Sequence, residues 1–104
     1  MRGRGEAGKR LVDGGGEEVL GNRLRLKILK VLSNVRELNI SEIARKACAN
    51  HKTVAKHLEV LEKEGILQHK KFGRIQLYRF NEASPKARAV KTLMDSWESP
   101  RTVK

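Results

Sequence analysis

Residues 38–67 read "LNISEIARKACANHKTVAKHLEVLEKEGIL". The stretch contains two helical patterns. In the first, Ser41 stands before "EIARKACA", with Glu42 in the first turn. A serine N-cap followed by an acid predicts a helix start there. Ile43, Ala44 and Ala47 give that short helix a small apolar face. In the second, "HKTVAKHLEVLEKEG", Asn50 is the N-cap candidate and Gly65 can close the helix in the left-handed conformation. Val54, Leu58 and Leu61 repeat at spacings of four and three, which predicts a buried stripe. The two helices are separated by three or four residues, and the second is the longer. That arrangement is a helix-turn-helix.

Upstream, "EEVLGNRLRLKILKVLSNV" places Leu20, Leu24, Ile28, Leu32 and Val35 three or four apart. Leu29 and Val31 widen the stripe, so an amphipathic helix is expected. Gly21-Asn22 interrupts it, and Asn22 is the natural cap of its main part. Arg23, Arg25, Lys27 and Lys30 lie along that part. "RELNI" alternates at Leu38 and Ile40 and predicts one short edge strand. Downstream of Gly65 the period falls to two. "ILQHKK" and "RIQLYRFN" predict a hairpin with Phe72-Gly73 at its tip. In "SPKARAVKTLMDSWE", Ser84 is an N-cap and Pro85 takes the first helical position. Ala87, Val90, Leu93, Met94 and Trp97 gather on one side of that last helix. The expected organisation is a flexible basic arm at 1–16, a helix-turn-helix domain at 17–82, a C-terminal helix at 83–98 and a tail at 99–104. The arm holds six glycines, too many for a regular element.

Twenty-three Lys+Arg against 12 Asp+Glu give this 104-residue chain a net charge of +11. Such a surplus on a small domain points to a polyanion, nucleic acid above all. A membrane partner is not expected, because no long apolar run is present. The first residues contain no apolar segment of the secretory kind. One cysteine cannot make an internal disulfide framework. The chain reads as a soluble cytoplasmic protein of a reducing compartment, associated with the nucleoid.

The order helix, short strand, helix, helix, hairpin, helix resembles a winged helix-turn-helix domain of the ArsR-like family. "RLKILKVL" is similar to the family's first core helix. "LNISEIARKACANHKTVAKHLEVLEKEGIL" is similar to its helix-turn-helix and the exit into the wing. "GRIQLYRFN" resembles the second wing strand with its tyrosine. Together these segments cover most of residues 22–82. The implied fold class is mainly α with a small antiparallel β-hairpin, plus a C-terminal dimerisation helix. The resemblance implies a prokaryotic transcription regulator, a repressor or an activator, that binds double-stranded DNA as a homodimer. It also places the N-terminal half of the helix at about 51–64 in the major groove.

With Val54 facing the core and about 100° per residue, Lys52, Lys56, Glu59 and Lys63 fall on the outer face. His51, Lys52, Thr53, Ala55 and Lys56 are therefore the candidate groove residues. Thr53 and Ala55 suit a thymine methyl, and lysine suits guanine or a phosphate. The charges of this helix nearly cancel, because Glu59, Glu62 and Glu64 follow. The positive field must come from elsewhere. Lys70, Lys71, Arg74 and Arg79 in the wing have no acid among them, and they suit phosphates or the minor groove. Ser41, at the start of its helix, marks a further phosphate site.

Metal-sensing members of the resembled family use paired cysteines in this region, or acid and histidine clusters on the dimer helix. Here the region supplies Cys48 alone. Cys48, His51 and His57 have no zinc spacing and form an incomplete ligand set. His57 is expected to pack at the flank of the core stripe, and Cys48 to act as a small apolar residue. No metal or cofactor is expected, and no small-molecule effector is evident. Nor is catalysis, since no nucleophile–base order is visible and Gly3-Arg4-Gly5 lacks the strand and helix of a phosphate loop. The last helix is expected to pair across a two-fold axis, the alternative being packing on its own domain. Two other readings of the whole chain stay open. One is an architectural, chromatin-like DNA binder that ignores sequence. The other is a winged helix used for RNA or for protein assembly.

Overall fold

Asn22 decides where the first long helix begins. Its side chain accepts a hydrogen bond from the Arg25 amide at 3.0 Å, which satisfies one of the unpaired donors of a helix start. The computed structural model describes residues 16–98. In it the chain forms a short α1 (Gly16–Leu20), breaks at Gly21-Asn22, and resumes as α2 (Arg23–Asn34). It continues through β1 (Leu38–Asn39), α3 (Ile40–Ala47), α4 (His51–Lys63), β2 (Leu67–Phe72), β3 (Ile75–Phe80) and α5 (Pro85–Glu98). Except for Gly16, which opens α1, the basic arm expected at 1–16 lies outside the described residues, as does the tail at 99–104.

The strands form an antiparallel sheet in the order β1-β3-β2. Leu38 pairs with Tyr78, and Leu67 with Phe80. β1 is thus the short edge strand that its alternation predicts. The hairpin tip differs by one residue from expectation. Phe72 closes β2 opposite Ile75, and the loop is Gly73-Arg74. Gly73 has a φ of +63° and Arg74 is not in the positive region, the pattern of a II′ turn, which takes glycine at its first central position.

The core lies where α2, α3, α4, α5 and the sheet meet. Ile28, Leu29, Leu32, Ile43, Val54, Leu58 and Leu61 are buried there, as are Leu67 and Phe80. The stripe of α4 is therefore core, as its spacing requires. Val19 of α1 joins it, so the ordered domain begins upstream of Asn22.

Two further expectations need correction. Ser41 is not the N-cap of α3. Asn39 caps it, accepting from the Glu42 amide at 2.9 Å, while the Glu42 carboxylate accepts from the Asn39 amide at 2.9 Å. This reciprocal box needs a cap three residues before its glutamate, which Asn39 is and Ser41 is not. Ser41 lies exposed within the first turn. The second correction concerns α5. Ser84 Oγ accepts from the Ala87 amide at 3.2 Å, as a cap before Pro85 should. Ala87, Val90 and Met94, however, are buried against their own domain. They were expected to form one interface with Leu93 and Trp97, but only the latter two are exposed, at 45% and 66%.

Candidate nucleic-acid interface

The N-terminus of α4 is set by Asn50, whose side chain accepts from the amides of Lys52 and Thr53 at 2.8 and 3.3 Å. From there the helix divides by face. Val54, Leu58 and Leu61 are buried. His51, Lys52, Thr53 and Lys56 are exposed, and Ala55 is half-buried. No acid occurs between His51 and Leu58. Two of the acids that follow are engaged elsewhere. Glu62 lies 2.7 Å from His69 Nδ1, and Glu64 pairs with Lys86 at 3.2 Å. The field at the start of the helix is thus positive, and the negative half is tied to β2 and α5.

The Glu62–His69 contact also fastens the wing to α4. The His69 ring lies 5.2 Å from the Tyr78 ring on the neighbouring strand. Burial, and then the Glu62 charge, push the Tyr78 hydroxyl above its ordinary value of 10.0. Lys70, Lys71 and Arg74 are exposed towards the tip. Arg79 does not belong with them. It is largely covered and lies 3.6 Å from Glu37, which precedes β1. The sequence distance of the two residues hides this pair until β1 docks on β3.

Ser41 and Arg74, far apart in sequence, come together. With Asn39, Ile40, Ile75 and Gln76 they line a shallow cleft of about 230 Å³ between the start of α3 and the wing. At the other end of α3, Arg23, Lys27 and Lys30 share a wider groove of about 720 Å³ with Cys48 and Ala49. The cations of α2 therefore flank the turn into α4, a placement that requires the α2–α3 packing and is invisible in the sequence.

Arg25 has a different task. Its Nε donates to His57 Nδ1 at 3.0 Å, and its Nη1 donates to the carbonyls of Glu18 and Val19, both at 3.2 Å. It ties the end of α1 to α4. His57 is thus half-buried, as expected, but polar in its contact. Burial, then the charges of Arg25 and Lys56, hold its pKa below 6.5. Cys48 is the wrong way out for the packing role expected of it. It is exposed, in the left-handed conformation at the end of α3. Among the described residues no group of three or more His, Cys, Asp or Glu is placed to hold a metal ion. No described helix is long and apolar enough to cross a membrane.

The wing tip also carries a feature that charge and spacing did not single out. Phe72 and Ile75, at the tip, are 58% and 52% exposed. The strand alternation contains the signal, since their parity is opposite to that of the buried Leu67 and Phe80.

Residues 22–69 match the sequence family described as bacterial regulatory protein, arsR family. No curated protein matches the chain. Among solved structures, it is similar to the homodimeric winged helix-turn-helix DNA-binding domain of a possible ArsR-family transcriptional regulator from Mycobacterium bovis. There the identity is 25% and the TM-score 0.66, over 91% of this chain and 87% of that one. It is similar to the transcriptional regulator HlyU from Vibrio vulnificus, at 26% identity and a TM-score of 0.67, over 78% and 81%. It shares its fold with the transcriptional repressor PagR of Bacillus anthracis, at 24% identity and a TM-score of 0.65, over 86% and 99%. With α3 and α4 as the motif and β2–β3 as the wing, residues 22–69 carry the helix-turn-helix of the ArsR family of bacterial transcriptional regulators, on a winged-helix fold.

Proposed function

We propose that the protein is a DNA-binding transcription regulator that acts as a homodimer, with α4 in the major groove and the wing on the backbone or minor groove. The observation that carries this is the division of α4. Its first two turns expose His51, Lys52, Thr53 and Lys56 with no acid among them, on a helix whose other face is core. A helix held rigidly by its buried face, with its N-terminal residues outward, is what major-groove readout needs. Lys70, Lys71, Arg74 and the start of α3 at Ser41 then serve affinity and register. Similar structures include a homodimeric DNA-binding domain and a transcriptional repressor, which supports a dimer that represses, seated on the nucleoid in the cytoplasm.

A second reading has the +11 charge in its favour. A non-sequence-specific architectural binder needs cations and little else. Selection of duplexes from a random pool separates the two. A regulator enriches a defined site and binds it at least about 10³-fold more tightly than random duplex. Lys52→Ala and Lys56→Ala should then relax base preference at particular positions, by about 1–3 kcal/mol each where the lysine reads a base. Lys71→Ala and Arg74→Ala should weaken all duplexes alike. Equal binding of all duplexes would give the architectural reading. RNA competing as well as DNA would overturn both.

A further inference from the structure

Phe72 and Ile75 need an explanation that folding does not supply. They face each other across the last rung of the hairpin, on either side of Gly73-Arg74. Directly opposed residues of an antiparallel pair project to the same face. Leu67 and Phe80, one rung parity away, mark the face that packs on the core. Phe72 and Ile75 therefore belong to the other face, at the far end of the ribbon, and more than half of each is exposed. Their cross-strand contact stabilises the hairpin by only about 0.2–1 kcal/mol, and it leaves most of both side chains in water.

Their surroundings select the partner. Lys70, Lys71 and Arg74 flank the pair, and no acid occurs between Gly65 and Asn81. An apolar pair within a cluster of cations suits a polyanion that also offers apolar surface. Duplex DNA does so between its base pairs. The tip also lies beside the helix-turn-helix, with Arg74 and Ile75 lining one cleft with Ile40 and Ser41. A two-stranded ribbon is too broad to enter a minor groove of about 6 Å whole, so only the side chains at its tip can reach in.

We infer that the wing tip is an apolar wedge: Phe72, backed by Ile75, enters the minor groove and partly unstacks one base step, while Lys71 and Arg74 hold the flanking phosphates. Such wedges kink the duplex towards the major groove. Here that would fold the DNA onto α4. The inference rests on the DNA-binding reading and adds deformation of the DNA to it.

The test uses the full chain and a duplex recovered from the random pool. Dyes at the two ends report bending by energy transfer, and a fluorescent adenine analogue quenched by stacking is placed at successive steps. The wild type should raise energy transfer and brighten the analogue at one step per wing. Phe72→Ala should abolish both and weaken binding about ten-fold, the scale of one lost aromatic–base stack. Its log–log salt slope should be unchanged, because phenylalanine neutralises no phosphate. Phe72→Trp should keep bending and brightening. If the wild type binds without bending or brightening, or if Phe72→Ala does both as well as the wild type, the wedge is overturned and the regulator reading stands. If the wild type binds no duplex, both fall together. If Phe72→Ala instead dissociates the DNA-free protein in sedimentation, the pair is a self-association surface and the wedge is wrong.

Discussion

Cys48 and Gly65 occupy the same structural position in successive helices. Each follows its helix with a positive φ, +54° and +79°. Each closes the same pair of bonds, Ala49 to Ala44 and Cys48 to Arg45 after α3, Ile66 to Leu61 and Gly65 to Glu62 after α4. This is the Schellman closure, which favours glycine. Gly65 was legible in the sequence because its residue type fits. Cys48 was not, because an L-residue in the left-handed region is strained and its type suggests packing. Asn39 was missed for a related reason, since two cap-forming residues stand near one glutamate and only spacing decides between them. Cys48→Gly should therefore stabilise the domain by about 1 kcal/mol in urea unfolding, and Gly65→Ala should cost about as much. His57 adds a pH dependence. Arg25 donates to its Nδ1, so the bond needs a neutral ring. Its folded pKa is held below 6.5, so the unfolded chain takes up the proton first. The stabilisation is complete above pH 6.5 and is lost as pH falls from there through the folded pKa. Unfolding free energies of His57→Gln should lack this decline, compared with the wild type across that window.

At the scale of elements, α5 shows where periodicity stops being informative. Ala87, Val90 and Met94 make one apolar stripe at helical spacing, and Ala89, Leu93 and Trp97 make another beside it. Both satisfy the same pattern, so the sequence merges them into a single broad face. Tertiary packing separates them. The first is buried on the domain's own core, and the second is exposed. The helix can thus serve both purposes at once, holding its domain with one stripe and offering the other to a second copy. Met94→Ala should lower domain stability by about 2–4 kcal/mol, the range for an emptied core position. Trp97→Ala and Leu93→Glu should leave near-ultraviolet circular dichroism of the half-buried Tyr78 intact and shift sedimentation from dimer to monomer. A dimer that survives both changes would show that α5 does not make the contact. The α4 helix, by contrast, was legible almost entirely. Its stripe, its cap and its outward lysines follow from one wheel, because each face has a single environment.

The whole molecule separates what holds the fold from what carries its charge. Buried residues are apolar throughout, with no buried charge among those described, so the surplus of cations is free to serve the surface. The sequence gives that surplus but not its layout. Arg79 is spent on Glu37 and Arg25 on α1 and His57, whereas Arg23, Lys27 and Arg74 are exposed near the two ends of α3. These placements depend on contacts between distant segments, which neither composition nor periodicity encodes. They also set the expected salt dependence. Five or six phosphates neutralised per protomer give a log–log slope of about −5. A homodimer seated on two half-sites doubles the contacts and brings the slope to about −10. The same dimer would set its two α4 helices about one DNA turn apart, so the selected duplex should be a rough palindrome. The two observations bind each other. A palindrome with a slope near −10 requires the dimer on DNA. A single half-site with a slope near −5 means that one protomer suffices, and Trp97→Ala should then bind as well as the wild type. A slope near zero on any duplex would show that the cations do not meet phosphates, and would remove the DNA-binding reading at its root.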